Sequence, residues 1–372
     1  MPRDVVLVTP KSALLNRDRH LEMLYRVLSG HGYSILPFTA ANVRRYGRRA
    51  IWHIHWIDLF HTGKIRSLPM QRHYAAVSLA RFVLFLWQVL VCRFSGAKIL
   101  WTVHNLHSHE RPGSFFEKVV TKLLLSFADR VTALNGHIRD EIARSHGRLD
   151  VPLLRQGLYR GCYPDTISRS EARRRLGLAD DDFVLVFLGV IEEYKGIDLA
   201  MEAVAELADP AVKLVVAGRL DTESPYGRKV RDLAWKTPGV LLIDRFVPDD
   251  EVQVYFRAAD YSIYPYRRID NSGPLYLTLA FGVPTIMRSA GGIPEILALN
   301  PKVAVPVAAA ERGAVAAAIH TARERRVADA EFDPFRENLS WQQLEGELLQ
   351  VFHGLQDENA TGGVLSAERH DV

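Results

Sequence analysis

A chain of 372 residues, 48% hydrophobic and 24% charged, is too long for one ordinary core and too apolar for wholesale disorder, so two globular lobes with a cleft between them are expected. Two cysteines, Cys92 and Cys162, give neither a disulfide framework nor metal-ligand spacing, and they point to a reducing, cytoplasmic setting. The net charge of +4 is carried in clusters, Arg44, Arg45, Arg48 and Arg49 in one and Arg169, Arg173, Arg174 and Arg175 in another. Without interleaved aromatics or a nucleic-acid motif, those clusters exclude a nucleic-acid partner and suit an anionic membrane surface or a phosphate-bearing substrate.

In chain order, "DVVLVTP" reads as a first strand, too short before its charges for a signal peptide. Strand-like runs then alternate with helix-length amphipathic segments: "RHLEMLYRVLSGHG", "YSILPF", "IWHIHWI", "KILWTVHN" and "RVTALN". That alternation predicts βαβ units and a parallel sheet. Residues 77–94, "VSLARFVLFLWQVLVCRF", fall short of a membrane span of about 20 residues and are broken by Arg81 and Gln88. A buried helix is the first reading and a helix lying in a bilayer surface the second. After residues 155–175 the pattern restarts with "FVLVFLGV", "GIDLAMEAVAELAD", "VKLVVAG", "VLLIDRF", "YSIYPY" and "PTIMRS", so two doubly wound sheets are expected. The polar end "QDENATGGVLSAERHDV" predicts a disordered tail.

Four stretches carry chemistry. In "VFLGVIEEYKGIDLAMEAV" a strand ends at Gly189 and Lys195 opens a helix, an arrangement that suits a pyrophosphate and equally an ordinary surface lysine. Arg219 follows the strand "VKLVVAG", where it can meet a phosphate or pair with Asp221 or Asp244. In "RRIDNSGPLYLTLAFGVP", Asp270, Asn271 and Ser272 are N-cap candidates, Gly273 lets the backbone approach a ligand, and Pro274 suits the first helical turn. The turn Gly291-Gly292 leads to Glu295, which can accept from hydroxyls or simply favour its helix N-terminus. In the first half, "WHIHWID" and "WTVHNLHSHE" place His53, His55, His104, His107 and His109 at strand ends with Asp58 and Glu110 nearby. These suit substrate contact or acid–base work at His104, and no pair has a helical metal-ligand spacing.

These pieces, in this order from about residue 4 to 355, resemble a GT-B fold glycosyltransferase. The likeness is to the glycosyltransferase family 4 group and its bacterial polysaccharide-assembly, mannosyltransferase-like relatives. The resemblance implies an α/β chain of two Rossmann-like, doubly wound parallel-sheet domains facing a cleft. An acceptor domain would span 1–165, a nucleotide-sugar domain 166–335, a helix over 336–356 would cross back, and 357–372 would form the tail. By the same resemblance His104 falls beside the donor sugar and Lys195 at the pyrophosphate. The sequence departs from the family where an arginine becomes Val190, so that Arg219 or Arg267 would supply the second charge. It departs again where a Glu-x7-Glu pair would place its second member at Leu277 or Thr278, which leaves Thr278 and Glu295 to hold the ribose.

The expected reaction is sugar transfer from a GDP- or UDP-sugar, GDP-mannose favoured, to a glycan or polyprenyl-diphosphate-linked acceptor at the inner membrane face. It would need no metal or cofactor: Lys195, Arg219 and the helix start at Ser272-Gly273 would offset the leaving charge. His104, Asp58 or Glu110 would serve as base in an inverting enzyme, and His104 would orient the sugar in a retaining one. A same-fold epimerase or phosphorylase, or a scaffold subunit without turnover, is the alternative.

Overall fold

The computed structural model describes residues 4–9, 18–61, 70–105 and 115–367. Contacts divide the chain into two compact units: residues 1–156 together with 341–372, and residues 157–340.

In unit 1 five parallel strands, β1 (Val5–Thr9), β2 (Ser34–Pro37), β3 (Ala50–Ile54), β4 (Lys98–Val103) and β5 (Arg130–Ala133), stand in the order β2-β1-β3-β4-β5. Both faces are covered, which is why the strands read as continuous apolar runs instead of alternating. Helix α1 (Arg19–Gly30) begins where the Asp18 side chain accepts from the Leu21 N–H at 3.1 Å. It buries Leu21, Leu24, Tyr25 and Leu28 on one face. The opposite face of the sheet is covered by α4 (Met70–Ser95) and α5 (Phe115–Phe127). Helix α2 (Ala40–Tyr46) packs beside α4, and the short α3 (Asp58–His61) lies against α4 and α5. Helix α6 (Gly136–His146) is capped by Asn135 and stops at Gly147, which takes the left-handed conformation.

Residues 77–94 correct the first reading of that segment. Phe85, Val89 and Cys92 are buried, but Leu79, Val83, Leu84, Trp87, Leu90 and Phe94 are exposed. Among the described side chains of α4, one stripe enters the core, Phe82, Leu86 and Val91 lie partly buried at its edges, and the rest of this mostly apolar helix faces outward.

Unit 2 repeats the scheme with six parallel strands in the order β11-β10-β9-β6-β7-β8. They are β6 (Phe183–Leu188), β7 (Val212–Ala217), β8 (Val240–Ile243), β9 (Tyr261–Tyr264), β10 (Thr285–Arg288) and β11 (Ala304–Val307). Helices α8 (Ile197–Leu207), α9 (Pro225–Lys236) and α13 (Arg312–Arg323) cover one face, and α7 (Arg169–Leu176) and α10 (Val252–Ala258) the other. Strand order runs outward from β6 through β7 to β8, then reverses from β9 to β11. The switch point of this sheet therefore lies between β6 and β9.

The observed joints differ from the sequence-based boundaries at 165/166 and 335/336, because Leu158 and Leu339 are both buried in unit 2 and the Leu158 N–H donates to the Leu339 carbonyl at 2.9 Å. The last helix, α15 (Trp341–Ala367), belongs to unit 1, where Leu348, Val351, Phe352 and Leu355 pack with α1. Arg155–Glu347 and His31–Glu345 pairs hold it on that surface. It also runs into the stretch 357–372 expected to be a disordered tail; no proline interrupts that stretch, and residues 368–372 lie outside the described residues.

The basic cluster at 169–175 is tied up largely in ion pairs and hydrogen bonds within unit 2. Arg173 is buried and donates to the carbonyls of Ala258, Ala179 and Asp180 and to Asp260. Arg169 pairs with the same Asp260, while Arg174 and Arg175 pair with Glu171 within α7.

Candidate functional site

In unit 2 four loops lie side by side at the carboxyl ends of β7, β6, β9 and β10, stitched by backbone hydrogen bonds. Ile191 N–H donates to Arg219 O (2.9 Å), Arg267 N–H to Tyr194 O (2.8 Å), and Gly292 N–H to Asp270 O (3.0 Å). Two glycines make this approach feasible. A Cβ on Gly218 (φ +150°) would lie 1.9 Å from the Gly189 carbonyl oxygen, and one on Gly291 (φ +59°) 2.2 Å from that of Ile269. The bonds bring together the loops that carry Lys195, Arg219, Asp270, Asn271, Ser272, Gly273, Gly291 and Gly292, at the switch point where open α/β sheets bind ligands.

Lys195 is not an ordinary surface lysine. It is 8% exposed, its Nζ donates to the Val190 carbonyl at 2.6 Å, and Glu192 lies 3.8 Å away. Burial lowers its pKa, and Glu192 opposes that shift. A partly desolvated ammonium fixed beside backbone at a strand end is suited to a phosphoryl oxygen.

Arg219 is exposed, and the carboxylates expected to compete for it are engaged elsewhere: Asp244 accepts from the Leu220 N–H and Asp221 from the Glu223 N–H. Arg267, the other candidate second charge, is taken. Its guanidinium grips Asp198 at 2.8 and 2.7 Å. Asp198 is 1% exposed and also accepts from Lys229 and Tyr226. Burial pushes the Asp198 carboxyl up, but the hydrogen bonds from Arg267, Lys229 and Tyr226 prevail and bring it to about 2. This hub, which sequence reasoning missed, ties α8 and α9 to the loop after β9.

Of the three N-cap candidates for α11 (Gly273–Ala280), Ser272 fills the position. Its Oγ accepts from the Leu275 N–H at 3.3 Å and lies 3.1 Å from the Tyr266 hydroxyl. With that hydroxyl engaged and Pro274 lacking an N–H, Gly273 supplies the amide at the helix start. Thr278 is fully buried beside the Tyr264 hydroxyl, so it presents nothing to a ribose. Helical periodicity explains the placement, since Thr278 lies one turn beyond Leu275 on the inward face. Glu295 stays on the exposed side of α12 (Ile293–Leu297). A cavity of about 650 Å³ lies at the other, amino ends of the strands, among Arg169, Asp260, Tyr261 and Pro284, away from these groups.

In unit 1 the histidines at the ends of β3 and β4 converge. His53, His55 and His104 are all buried, with His55 Nδ1 2.9 Å from His104 Nε2. His20 and Tyr25 of α1 join them, with His20 5.5 Å from His104 between ring centroids and the Tyr25 hydroxyl between His53 and His55. Sequence reasoning missed both; their place on the apolar face of α1 is the only signal. Burial drives all four histidines below the usual range, His20 to about 4 and His53 to about 3, with neighbouring histidines lowering His53, His55 and His104 further. Asp58 is half-buried at the start of α3; Glu110, with His107 and His109, lies outside the described residues. Among the described residues no group of three His, Cys, Asp or Glu side chains is disposed to hold a metal ion.

Residues 168–326 match the family model described as Glycosyl transferases group 1. Among curated relatives, the chain is 28% identical over 186 residues to D-inositol 3-phosphate glycosyltransferase 1 of Catenulispora acidiphila, covering 45% of this chain and 40% of that one. It is 24% identical over 289 residues to GDP-mannose:glycolipid 4-beta-D-mannosyltransferase of Xanthomonas campestris pv. campestris, covering 77% and 74%. Its fold matches that of Anabaena HepE in complex with UDP and glucose with a TM-score of 0.69 at 14% identity, over 95% of this chain and 100% of the other.

Proposed function

We propose, from the premise that this chain is a GT-B fold glycosyltransferase with a group 1 domain in its second half, that it moves a hexose from a nucleoside-diphosphate sugar to a lipid-linked glycan at a membrane surface. The observation that carries the donor half is the buried Lys195 at the β6/β9 switch point, ringed by loops that glycines allow to touch. Departure of a nucleoside diphosphate leaves negative charge, which Lys195, Arg219 and the Gly273 amide would offset without a metal. GDP-mannose is the favoured donor, because the relative whose name carries it aligns over 77% of this chain, beyond the group 1 segment alone.

Two features support a membrane-held acceptor. The exposed stripe Leu79, Val83, Trp87, Leu90 and Phe94 follows the spacing of one helical face, and α4 is long and apolar enough between Ala76 and Ser95 to cross a membrane, with 28% of that stretch buried. Arg44 and Arg45, exposed on the neighbouring α2, would meet anionic headgroups while the stripe meets acyl chains.

The test is thermal shift with GDP, UDP, GDP-mannose and UDP-glucose, each with and without a chelator. One nucleotide should raise the melting temperature of the wild type in either condition, and Lys195→Ala should reduce that rise at least tenfold in apparent affinity, roughly the loss of one charge-assisted contact. A wild type that none of the four stabilises, or a Lys195→Ala variant that responds like it, would sink the donor-site reading.

A further inference from the structure

Six side chains of unit 1 form one unbroken hydrogen-bonded chain. Thr132 Oγ1 lies 2.8 Å from Thr102 Oγ1, which lies 2.8 Å from His53 Nε2. His53 Nδ1 is 3.1 Å from the Tyr25 hydroxyl, and that hydroxyl is 2.7 Å from His55 Nε2. His55 Nδ1 closes on His104 Nε2 at 2.9 Å. Thr132 and Thr102 are fully buried at one end. At the other, His104 keeps 8% exposure, and its Nδ1 has no partner among the described residues.

The direction of this chain follows from counting protons. Buried rings held neutral carry one N–H each, so a nitrogen in the chain either donates or accepts. Tyr25 has one proton for two histidine neighbours, so it must donate to one and accept from the other. Only two arrangements keep every link. In the first, Thr132 donates to Thr102, Thr102 to His53 Nε2, His53 Nδ1–H to Tyr25, Tyr25 to His55 Nε2, and His55 Nδ1–H to His104 Nε2. His104 then carries its proton on Nδ1.

The second arrangement reverses every bond. His104 would donate through Nε2–H, and the Thr132 hydroxyl proton would be left without an acceptor among the described residues, in a site with no access to water. Orphaning a buried donor is disfavoured roughly tenfold or more. His20 does not alter the count: it lies edge-on to His104 with neither ring nitrogen hydrogen-bonded among the described residues.

We propose that Thr132, Thr102, His53, Tyr25 and His55 are positioning residues that hold His104 as its Nδ1–H tautomer, so that His104 meets its ligand as a neutral hydrogen-bond donor and not as a base. That the ligand is a sugar oxygen rests on the transferase reading; the tautomer does not. A base for the acceptor hydroxyl must then come from another group.

The test uses the full chain labelled with 15N-histidine and long-range proton–nitrogen correlation spectra, with His104 assigned through the signals lost in His104→Gln. In the wild type, His104 should show the Nδ1–H pattern at roughly nine-tenths population or more between about pH 6 and 8. Tyr25→Phe, which keeps the ring and removes the central hydroxyl, should turn that pattern into a mixture of tautomers. A wild-type His104 protonated on Nε2, or charged at neutral pH, overturns the proposal; so does a folded Tyr25→Phe variant with an unchanged His104 pattern. Should Tyr25→Phe not fold, the wild-type spectrum still decides the direction, and Thr102→Val cuts the chain at a second link. No nucleotide is present in these measurements, so a failure of the donor reading leaves their outcome untouched.

Discussion

Gly218 shows how little room the donor loops leave. Just past β7 the backbone of Gly218 lies against Gly189, just past β6, and at φ +150° a side chain would meet a carbonyl oxygen with no flexible atom to yield. Gly218→Ala is therefore expected to cost about 3 kcal/mol or more, combining backbone strain with separation of the two strand ends. Denaturant unfolding would measure it, and a loss under about 1 kcal/mol would show that the loops have slack. At this scale the sequence was legible where a residue type has few uses. Ser272 before Gly-Pro caps α11 as its type and position predict, and Gly218 and Gly291 take the positive φ that their close approaches require. The placements of Thr278 and Arg267 were not legible, for a common reason. Their type allows a ligand contact, but their direction is set by packing: Thr278 by the inward face of α11, Arg267 by an aspartate 69 positions away in the sequence.

Among elements, α4 is the one whose sequence and placement pull apart. A mostly apolar helix normally vanishes into a core, yet this one leaves Leu79, Val83, Leu84, Trp87, Leu90 and Phe94 in the open. Periodicity could not reveal this, since a helix apolar on all sides has no preferred face to read. Burying each exposed side chain in acyl chains is worth about 1.5 to 3 kcal/mol. Val83→Asp with Leu90→Asp should thus weaken binding to vesicles containing anionic lipid by tenfold or more while the melting temperature stays within a few degrees. Sedimentation with such vesicles measures this, and equal binding by the double variant would remove the stripe from consideration as a membrane contact.

For the molecule as a whole, the two units carry different acid sensitivities. Unit 1 buries His20, His53, His55 and His104 as neutral rings, with Tyr25 and Asp18 the other titratable groups facing them among the described residues; the folded pKa values lie below the unfolded value near 6.5. Such groups stabilise the fold above about pH 6.5, and that stability is lost as pH falls toward about 4, at up to about 1.4 kcal/mol per pH unit for each histidine. Asp198 in unit 2 is held at about 2 against a usual value near 3.8, so its contribution of about 2 kcal/mol is intact above about pH 4 and lost only below it. Acid titration followed by hydrogen exchange should show amides of β1, β3 and β4 losing protection before those of β6 and β7. The reverse order would contradict the assignment of neutral histidines. The doubly wound architecture itself was legible in the alternation of strand-like and helical runs. The joints at 156/157 and 340/341 were not, because they depend on where Leu158 and Leu339 find a core, which no local pattern records.

The return of α15 to unit 1 bears on how the chain acquires its shape during synthesis. Unit 2 is contiguous, and every residue of its sheet is available once residue 340 has emerged. Unit 1 begins first but cannot close the side of its sheet that holds α1 until Leu348, Val351, Phe352 and Leu355 arrive, roughly 200 residues after Gln156. At about 5 to 20 residues per second that interval is on the order of 10 to 40 seconds. Throughout it Leu21, Leu24 and Leu28 can pack on Val6, Val8, Ile51 and Leu100 but lack their α15 contacts, and Trp341 is not yet beside the buried His20. The sheet face that α1 covers is thus completed only after the whole of unit 2 has been made.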